Sequence, residues 1–318
     1  MGLADRTPPS EADHFAYRER FSNWGRWGDD DQLGTLNHIT PEVRAHAASL
    51  VQAGRAVSLA NSLDTRPGPR NPFPVSHYLR WHQGIAWDFF AINYHGLTNT
   101  HIDAHCHIFT DDEEPRLYNG KPASLVTATG AKSGSVEHWR DGIVTRGVLY
   151  DIPRYRGTDH VSYEEPVHGW ELEDCAKAQG VEPRSGDAVL IRSGADAVQR
   201  ALQSGTLQPP SEGGSITVPG APPRPGVHAS ALEFLYEYDA SILAWDLQEA
   251  AGQGFEGNGG PIHQIALPYM GLPLLDNANL EAVGVACVEL GRHEFQFVCA
   301  PLVIWGGTGS PVNPLAVL

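Results

Sequence analysis

The chain has 318 residues, with 38 acidic against 22 basic side chains for a formal net charge of −16, and 41% of its residues are hydrophobic. So acidic a balance argues against a nucleic-acid or anionic-membrane partner, and the hydrophobic share excludes disorder for the bulk of the chain. No window approaches the roughly 18 apolar residues of a membrane span, and the polar start MGLADRTPPSEADHF has no h-region. A cytoplasmic location is the expectation.

Residues 1–34 show little apolar periodicity and carry the run Asp29-Asp30-Asp31, which predicts an arm laid over a core. Thr40, Pro41 and Glu42 have the character of an N-cap, a first helical residue and an acidic first turn, and Gly54 ends the pattern, so a helix is predicted over 40–54. Short apolar runs bounded by Gly, Pro or charge predict strands at 57–60, 147–152, 188–192, 242–245, 286–289, 295–299 and 302–305. Helical stretches are predicted at 171–179, 195–204, 229–238 and 279–282. The Pro- and Gly-rich stretch 209–226 predicts a long surface loop. GQGFEG at 252–257 fits G-x-G-x-x-G only superficially, because no strand precedes it and no helix follows. No G-x-S-x-G elbow supports serine hydrolysis. Strands mixed with helices, with no regular βαβα alternation and no linker, predict one α/β domain over 1–318 built on a mixed sheet. The four cysteines lie far apart without C-x-x-C spacing and are expected to be reduced thiols.

Fifteen histidines are the unusual number in this composition. From Tyr94 the chain runs YHGLTNTHIDAHCHIF, and His95, His101, Asp103, His105 and His107 all stand at odd positions. Side chains of a strand alternate faces, so these polar groups would share one side while Ile102, Ala104, Cys106 and Ile108 share the other. A histidine and a carboxylate two residues apart sit about 7 Å apart along a strand, close enough to bind one divalent ion between them. A solvated polar edge is the plain alternative. Four histidines in thirteen residues, close after the apolar Trp87-Asp88-Phe89-Phe90, favour metal or acid–base chemistry.

The run Thr100-His101-Ile102-Asp103-Ala104-His105-Cys106-His107 resembles the signature HxGTHxDxPxH of the cyclase family of metal-dependent hydrolases, which includes bacterial kynurenine formamidase and isatin hydrolase. Asn23-Trp24-Gly25-Arg26-Trp27-Gly28 and Leu33-Gly34-Thr35-Leu36-Asn37 resemble the N-terminal arm of its longer members. Gly306-Gly307-Thr308-Gly309-Ser310-Pro311-Val312-Asn313-Pro314 resembles their C-terminus. The resemblance implies a swivelling β/β/α fold, a divalent ion such as zinc or manganese, and a homodimer or homotetramer. It makes His101 and Asp103 metal ligands and His107 the general acid/base. Three positions depart from the signature. Leu97 stands where the family has its first ligand histidine, Asn99 where it has glycine, and His105 where it has proline. Leucine ligates nothing, so that coordination position is vacant, filled by His95 or His105, or supplied from elsewhere. The family also places a histidine and a carboxylate near the positions of His263 and Asp276 as ligands of a second ion. A helix N-terminal histidine and an N-cap aspartate are the plain reading of that pair.

Gln248, between Asp246 and Glu249 after the strand 242–245, is a candidate oxygen ligand, because polar groups at strand ends often line sites in open α/β sheets. His228, at a helix start, is expected to pack or to rim the pocket. The resemblance implies hydrolysis of an amide, lactam or lactone bond in a small, often aromatic substrate. Trp24, Trp27, Trp81, Trp87, Phe89 and Phe90 are available to line its pocket. Two other readings stay open: a metal-independent lyase or isomerase using His107 and Asp103, and a binding protein that kept the fold and lost the chemistry.

Overall fold

A computed structural model describes residues 3, 6–210, 221, 223–255 and 260–318. Most of the predicted 209–226 loop and the end of GQGFEG therefore lie outside the described residues, as do four residues of the predicted arm. In chain order the helices are α1 (Glu11–Arg20), α2 (Pro41–Ser49), α3 (Ile152–Arg156), α4 (Gly169–Gln179), α5 (Ala195–Ser204), α6 (Ala231–Glu237), α7 (His263–Ile265) and α8 (Glu281–Leu290). The strands are β1 (Ala56–Ser58), β2 (Ser76–His82), β3 (Ile85–Ala91), β4 (His101–Asp103), β5 (Val126–Thr127), β6 (Gly130–Ala131), β7 (Ile143–Asp151), β8 (Ala188–Arg192), β9 (Ile242–Trp245), β10 (Leu274–Asp276), β11 (Glu294–Cys299), β12 (Gly309–Pro311) and β13 (Leu315–Val317).

Nine of these strands form one mixed sheet in the order β1-β13-β11-β7-β8-β9-β10-β4-β12. Strands β7 to β10 are parallel in its centre, and antiparallel strands complete both sides. The central strands read as unbroken apolar runs because both their faces are covered. Val148, Tyr150, Val189, Ile191, Leu243, Trp245 and Leu274 enter a core with α4 and α6 on one face. Leu149, Leu190, Ala244, Leu275 and Ile102 enter a second core with α8 on the other. In β11, Phe295, Phe297 and Cys299 are buried while the residues between them are only partly so, the period of two that places them in the second core.

Local chemistry accounts for the helix starts. Thr40 accepts a hydrogen bond from the Val43 backbone and Pro41 opens α2, although that helix ends at Ser49, before the predicted Gly54. Within the predicted arm, Ser10 and Asp13 close a capping box on α1. Tyr17 and Phe21 enter the first core, so the arm lies on its own chain.

Four expectations are corrected. The predicted strand 286–289 lies within α8, where Val283, Ala286 and Cys287 are buried at helical spacing while Val285 and Val288 face out. Gly291, at φ +64°, ends that helix, and only residues 281–282 of the predicted helix 279–282 belong to it. The predicted strand 302–305 has no ladder, and Leu302 and Val303 are exposed. The long polar strand read from the histidines is three residues only, 101–103. Among the elements not foreseen is a hairpin of β2 and β3, closed by Gln83 and Gly84, both at positive φ as a type I′ turn requires. Among the described residues no helix is long and apolar enough to cross a membrane.

Candidate metal centre

Strand β4 lies between β10 and β12, antiparallel to both, and its register sets Asp276 directly opposite His101. Ile102 and Leu275 point into the second core, so His101, Asp103 and Asp276 emerge together on the opposite face. Helix α7 starts with His263 and brings it over the same point.

The geometry converges on Asp103, whose side chain is 1% exposed. Four imidazoles surround its carboxylate: His95 Nδ1 at 2.8 Å and His101 Nε2 at 3.4 Å from Oδ1, and His263 Nε2 at 3.6 Å and His107 Nε2 at 3.8 Å from Oδ2. None of them meets it in hydrogen-bonding geometry, so both oxygens are buried without a donor. Among the described residues, two groups of ligand atoms are close enough to hold an ion: His95, His101 and Asp103, and Asp103, His263 and Asp276. Asp103 belongs to both.

Neighbouring groups orient these side chains. Asn99 O lies 2.8 Å from His101 Nδ1, an arrangement that puts the proton there and leaves Nε2 free to ligate. Thr308 holds His95 Nε2 at 2.9 Å. Glu249 lies 2.5 Å from His263 Nδ1 and also accepts from the His263 backbone. Trp245 Nε1 donates to Asp276 at 2.5 Å, and Gln248 Nε2 donates to the other oxygen of the same carboxylate. An unpaired carboxylate buried among imidazoles is costly by itself and suits a divalent ion, as do the nitrogen and oxygen donors. The residues present fit such a group.

Charge follows the same pattern. Burial alone would raise the Asp103 carboxyl, but the surrounding imidazoles, His107 and His101 foremost, hold it well below its ordinary value. Burial lowers His107 to about 4, against the pull of Asp103 and with the help of the other three rings. For His263 burial is again the largest effect and lowers it, yet Glu249 and Asp276 together raise it well above the usual histidine value.

The structure thus brings together His95, His101, Asp103, His107, His263 and Asp276. Gln248 reaches the centre only through Asp276. His105 turns away and is fully buried, packed between Tyr118 and Trp139. Asp246 accepts the backbone N–H groups of Ser193, Gly194 and Ala195 at the start of α5. His228 is buried beside Ser230 and His168. Trp24 donates to Pro268 O and Trp27 meets His38, whereas Trp81, Trp87, Phe89 and Phe90 stand exposed on the hairpin. Sequence reasoning missed Glu249, Trp245 and Thr308 as orienting groups. Glu249 carried a readable signal, its place just past the carboxyl end of a parallel strand.

The family model described as "Putative cyclase" matches residues 31–250. A solved structure described as a novel cyclase is 28% identical, covers 95% of this chain and 99% of its own, and superposes with a TM-score of 0.79. An isatin hydrolase bound to the product analogue thioisatinate is 19% identical over 87% of this chain and 97% of its own, with a TM-score of 0.55. Isatin hydrolase A from Labrenzia aggregata bound to benzyl benzoate is 19% identical over 86% and 98%, with a TM-score of 0.57. The two hydrolases share the fold. No curated protein matches the sequence. A nine-stranded mixed sheet that delivers histidines and carboxylates to one point, together with a family match over two thirds of the length, establishes that this chain belongs to the cyclase family.

Proposed function

We propose that the protein is a metal-dependent hydrolase of an amide, lactam or lactone bond in a small, often aromatic substrate. The observation that carries this reading is the buried Asp103 carboxylate, free of hydrogen bonds and ringed by four imidazoles within 3.8 Å. His95, His101 and Asp103 would hold one divalent ion, zinc or manganese, and Asp103, His263 and Asp276 a second. When bound, such an ion polarises a carbonyl and makes water a stronger acid. The residues present supply the rest. His95 and His107 are the open side of the centre, with 18% and 20% of their side chains exposed against 5% or less for His101, Asp103, His263 and Asp276. Substrate and water therefore meet His107 first. Its Nε2 takes a proton from water as the water oxygen bonds to the carbonyl carbon. The same nitrogen returns the proton to the leaving nitrogen or oxygen as the C–N or C–O bond breaks. The products are a carboxylic acid and an amine or alcohol, joined in one molecule when a ring is opened.

The reading extends to a homodimer or homotetramer in the cytoplasm. The two strands of the β2–β3 hairpin are exposed along their whole length and carry Trp81, Trp87, Phe89 and Phe90 outward, a surface suited to burial against a second copy. Four free, buried thiols suit a reducing compartment.

The test is elemental analysis of protein purified without added metal, paired with turnover of aryl formamides, lactams and lactones before and after chelation. Bound zinc or manganese and chelator-sensitive hydrolysis are the expected results. Hydrolysis that survives complete metal removal contradicts the reading.

A further inference from the structure

The parallel strands β8, β9 and β10 point their carboxyl ends at one cavity of about 960 Å³. Ala195 and Asp196 line it just after β8, Asp246 just after β9, and Asn277 just after β10. Cavities in this position are where open α/β sheets take their ligands. None of the centre's own side chains lines it, but Asn277, which does, directly follows Asp276. Leu97 lines both this cavity and the smaller one beside His95.

Its charged groups are unevenly matched. Asp64 pairs with Arg66 at 3.1 Å and Glu281 with Arg192 at 2.6 Å. Asp246 is occupied by the three N–H groups at the start of α5, and Asp196 is an exposed first-turn acid of that helix. Arg224 differs from all of these. Among the described residues it has no ion pair, and its Nε is buried without a hydrogen-bond partner. Burial draws its guanidinium down to about 10 against the pull of Asp246, so it stays cationic at neutral pH. Arg70 lines the same cavity, and burial followed by the charge of Arg224 brings it down to about 9.

The backbone of Arg224 is fixed against the loop that serves the metal centre. Ala251 N donates to Arg224 O at 3.1 Å, and Val227 N donates to Gln248 O at 3.0 Å. Gly226 lies so close that a Cβ there would come within 2.0 Å of Gln248 O. Gln248 and Glu249 of this loop are the groups that hold Asp276 and His263. The position of Arg224 is therefore tied to that of the centre. Asp246 acts on the Arg224 guanidinium from a distance but forms no ion pair with it, and a buried guanidinium with no carboxylate in direct contact is costly to the folded protein until an anion meets it.

We propose that this cavity is a carboxylate-binding pocket with Arg224 as its cation, so that the substrate of the neighbouring centre carries an acidic substituent. The assignment of a substrate rests on the hydrolase reading above, whereas the pocket itself does not. Planar, bidentate pairing with carboxylate is the chemistry guanidinium serves best, and Leu97, Leu202 and Leu280 give the cavity walls for an apolar body.

The experiment is isothermal titration of the full-length protein with benzoate and with benzamide, its neutral counterpart, in metal-loaded protein and again after chelation. Benzoate is expected to bind at least about tenfold tighter in both states, as one charge-assisted pairing warrants. Arg224→Gln should abolish that preference, and Arg224→Lys should restore part of it. Equal binding of the two probes overturns the proposal. A preference that vanishes with the metal also overturns it, since the carboxylate would then sit on the ion, and so does undiminished benzoate affinity in Arg224→Gln. The comparison in the unsubstituted protein decides the matter even where a variant fails to fold. Benzoate preference in a protein that hydrolyses nothing would remove the proposed function and leave the pocket standing.

Discussion

His95 and His107 lie face to face, their ring centroids 3.7 Å apart and their planes 3° from parallel. The stacked pair shares the Asp103 carboxylate, His95 approaching Oδ1 and His107 approaching Oδ2. Their second nitrogens separate their roles. Thr308 ties down His95, while the His107 ring has no hydrogen bond among the described residues, the freedom a proton carrier would need. On the proposed reading, His95 would take the coordination position that Leu97 leaves vacant in the family signature.

Asp103 is common to both groups of ligand atoms, so Asp103→Ala should strip the protein of metal altogether. His101→Ala and His263→Ala should each deplete one site, and elemental analysis reads the difference. Full metal content in Asp103→Ala would falsify the assignment. A ligand lost from a tight site lowers affinity by orders of magnitude.

His107→Asn should keep its metal and lose about 10²- to 10⁴-fold in kcat, with little change in KM. His105→Ala supplies the contrast. That ring is fully buried beside Tyr118 and Trp139, away from Asp103, so its loss should cost roughly 2 to 4 kcal/mol of stability and lower Tm while turnover per folded molecule persists. An inactive His105→Ala beside an active His107→Asn would reverse the two roles.

Acid should act on the fold through His228. Burial above all, then the neighbouring His168 and His14, lowers this group from its ordinary value to about 4. The folded state therefore binds its proton less readily than the unfolded chain. Its contribution is complete above pH 6.5 and is lost as pH falls toward 4, up to about 3 kcal/mol in all. Urea denaturation at pH 7 and pH 5 should show a smaller loss for His228→Phe than for the unsubstituted protein.

Burial pushes the thiols of Cys106, Cys175, Cys287 and Cys299 up to about 12. The native protein at pH 8 should therefore leave a disulfide reagent unreacted, and all four thiols should titrate once it is denatured. Rapid modification of any one of them in the folded protein contradicts the packing described.

Sedimentation at micromolar concentration should give a dimer or tetramer of the 34.5 kDa chain, and Trp81→Ser with Trp87→Ser should shift it toward monomer. A single monomeric species of the unsubstituted protein removes the oligomer from the reading.

The central strands were legible because burial on both faces leaves unbroken apolar runs, and α5 was read to its end residues. Residues 286–289 misled because Val285, Val288 and their neighbours suit a strand locally, whereas the helical register shows only when Val283, Ala286 and Cys287 are seen to share a face. The hairpin escaped because its aromatic residues suggested pocket walls, and no local signal says that both faces meet solvent. At the site, one motif was enough to single out His101, Asp103 and His107. Which of His95 and His105 turns toward them depends on backbone that leaves the strand at Ala104, and spacing cannot report that. Thr308 becomes visible only through a contact that spans 213 residues.

Strand β10 is three residues long and bonded on both edges, parallel to β9 and antiparallel to β4. Inserting or deleting one residue just ahead of it would exchange the two faces, sending the Asp276 carboxylate into the apolar core and a leucine against the imidazoles. Substitutions in 271–276 act one side chain at a time, but a change of length there removes core and chemistry together. Over evolutionary time, variation in this segment should be confined to residue identity, while length changes collect in the surface connections.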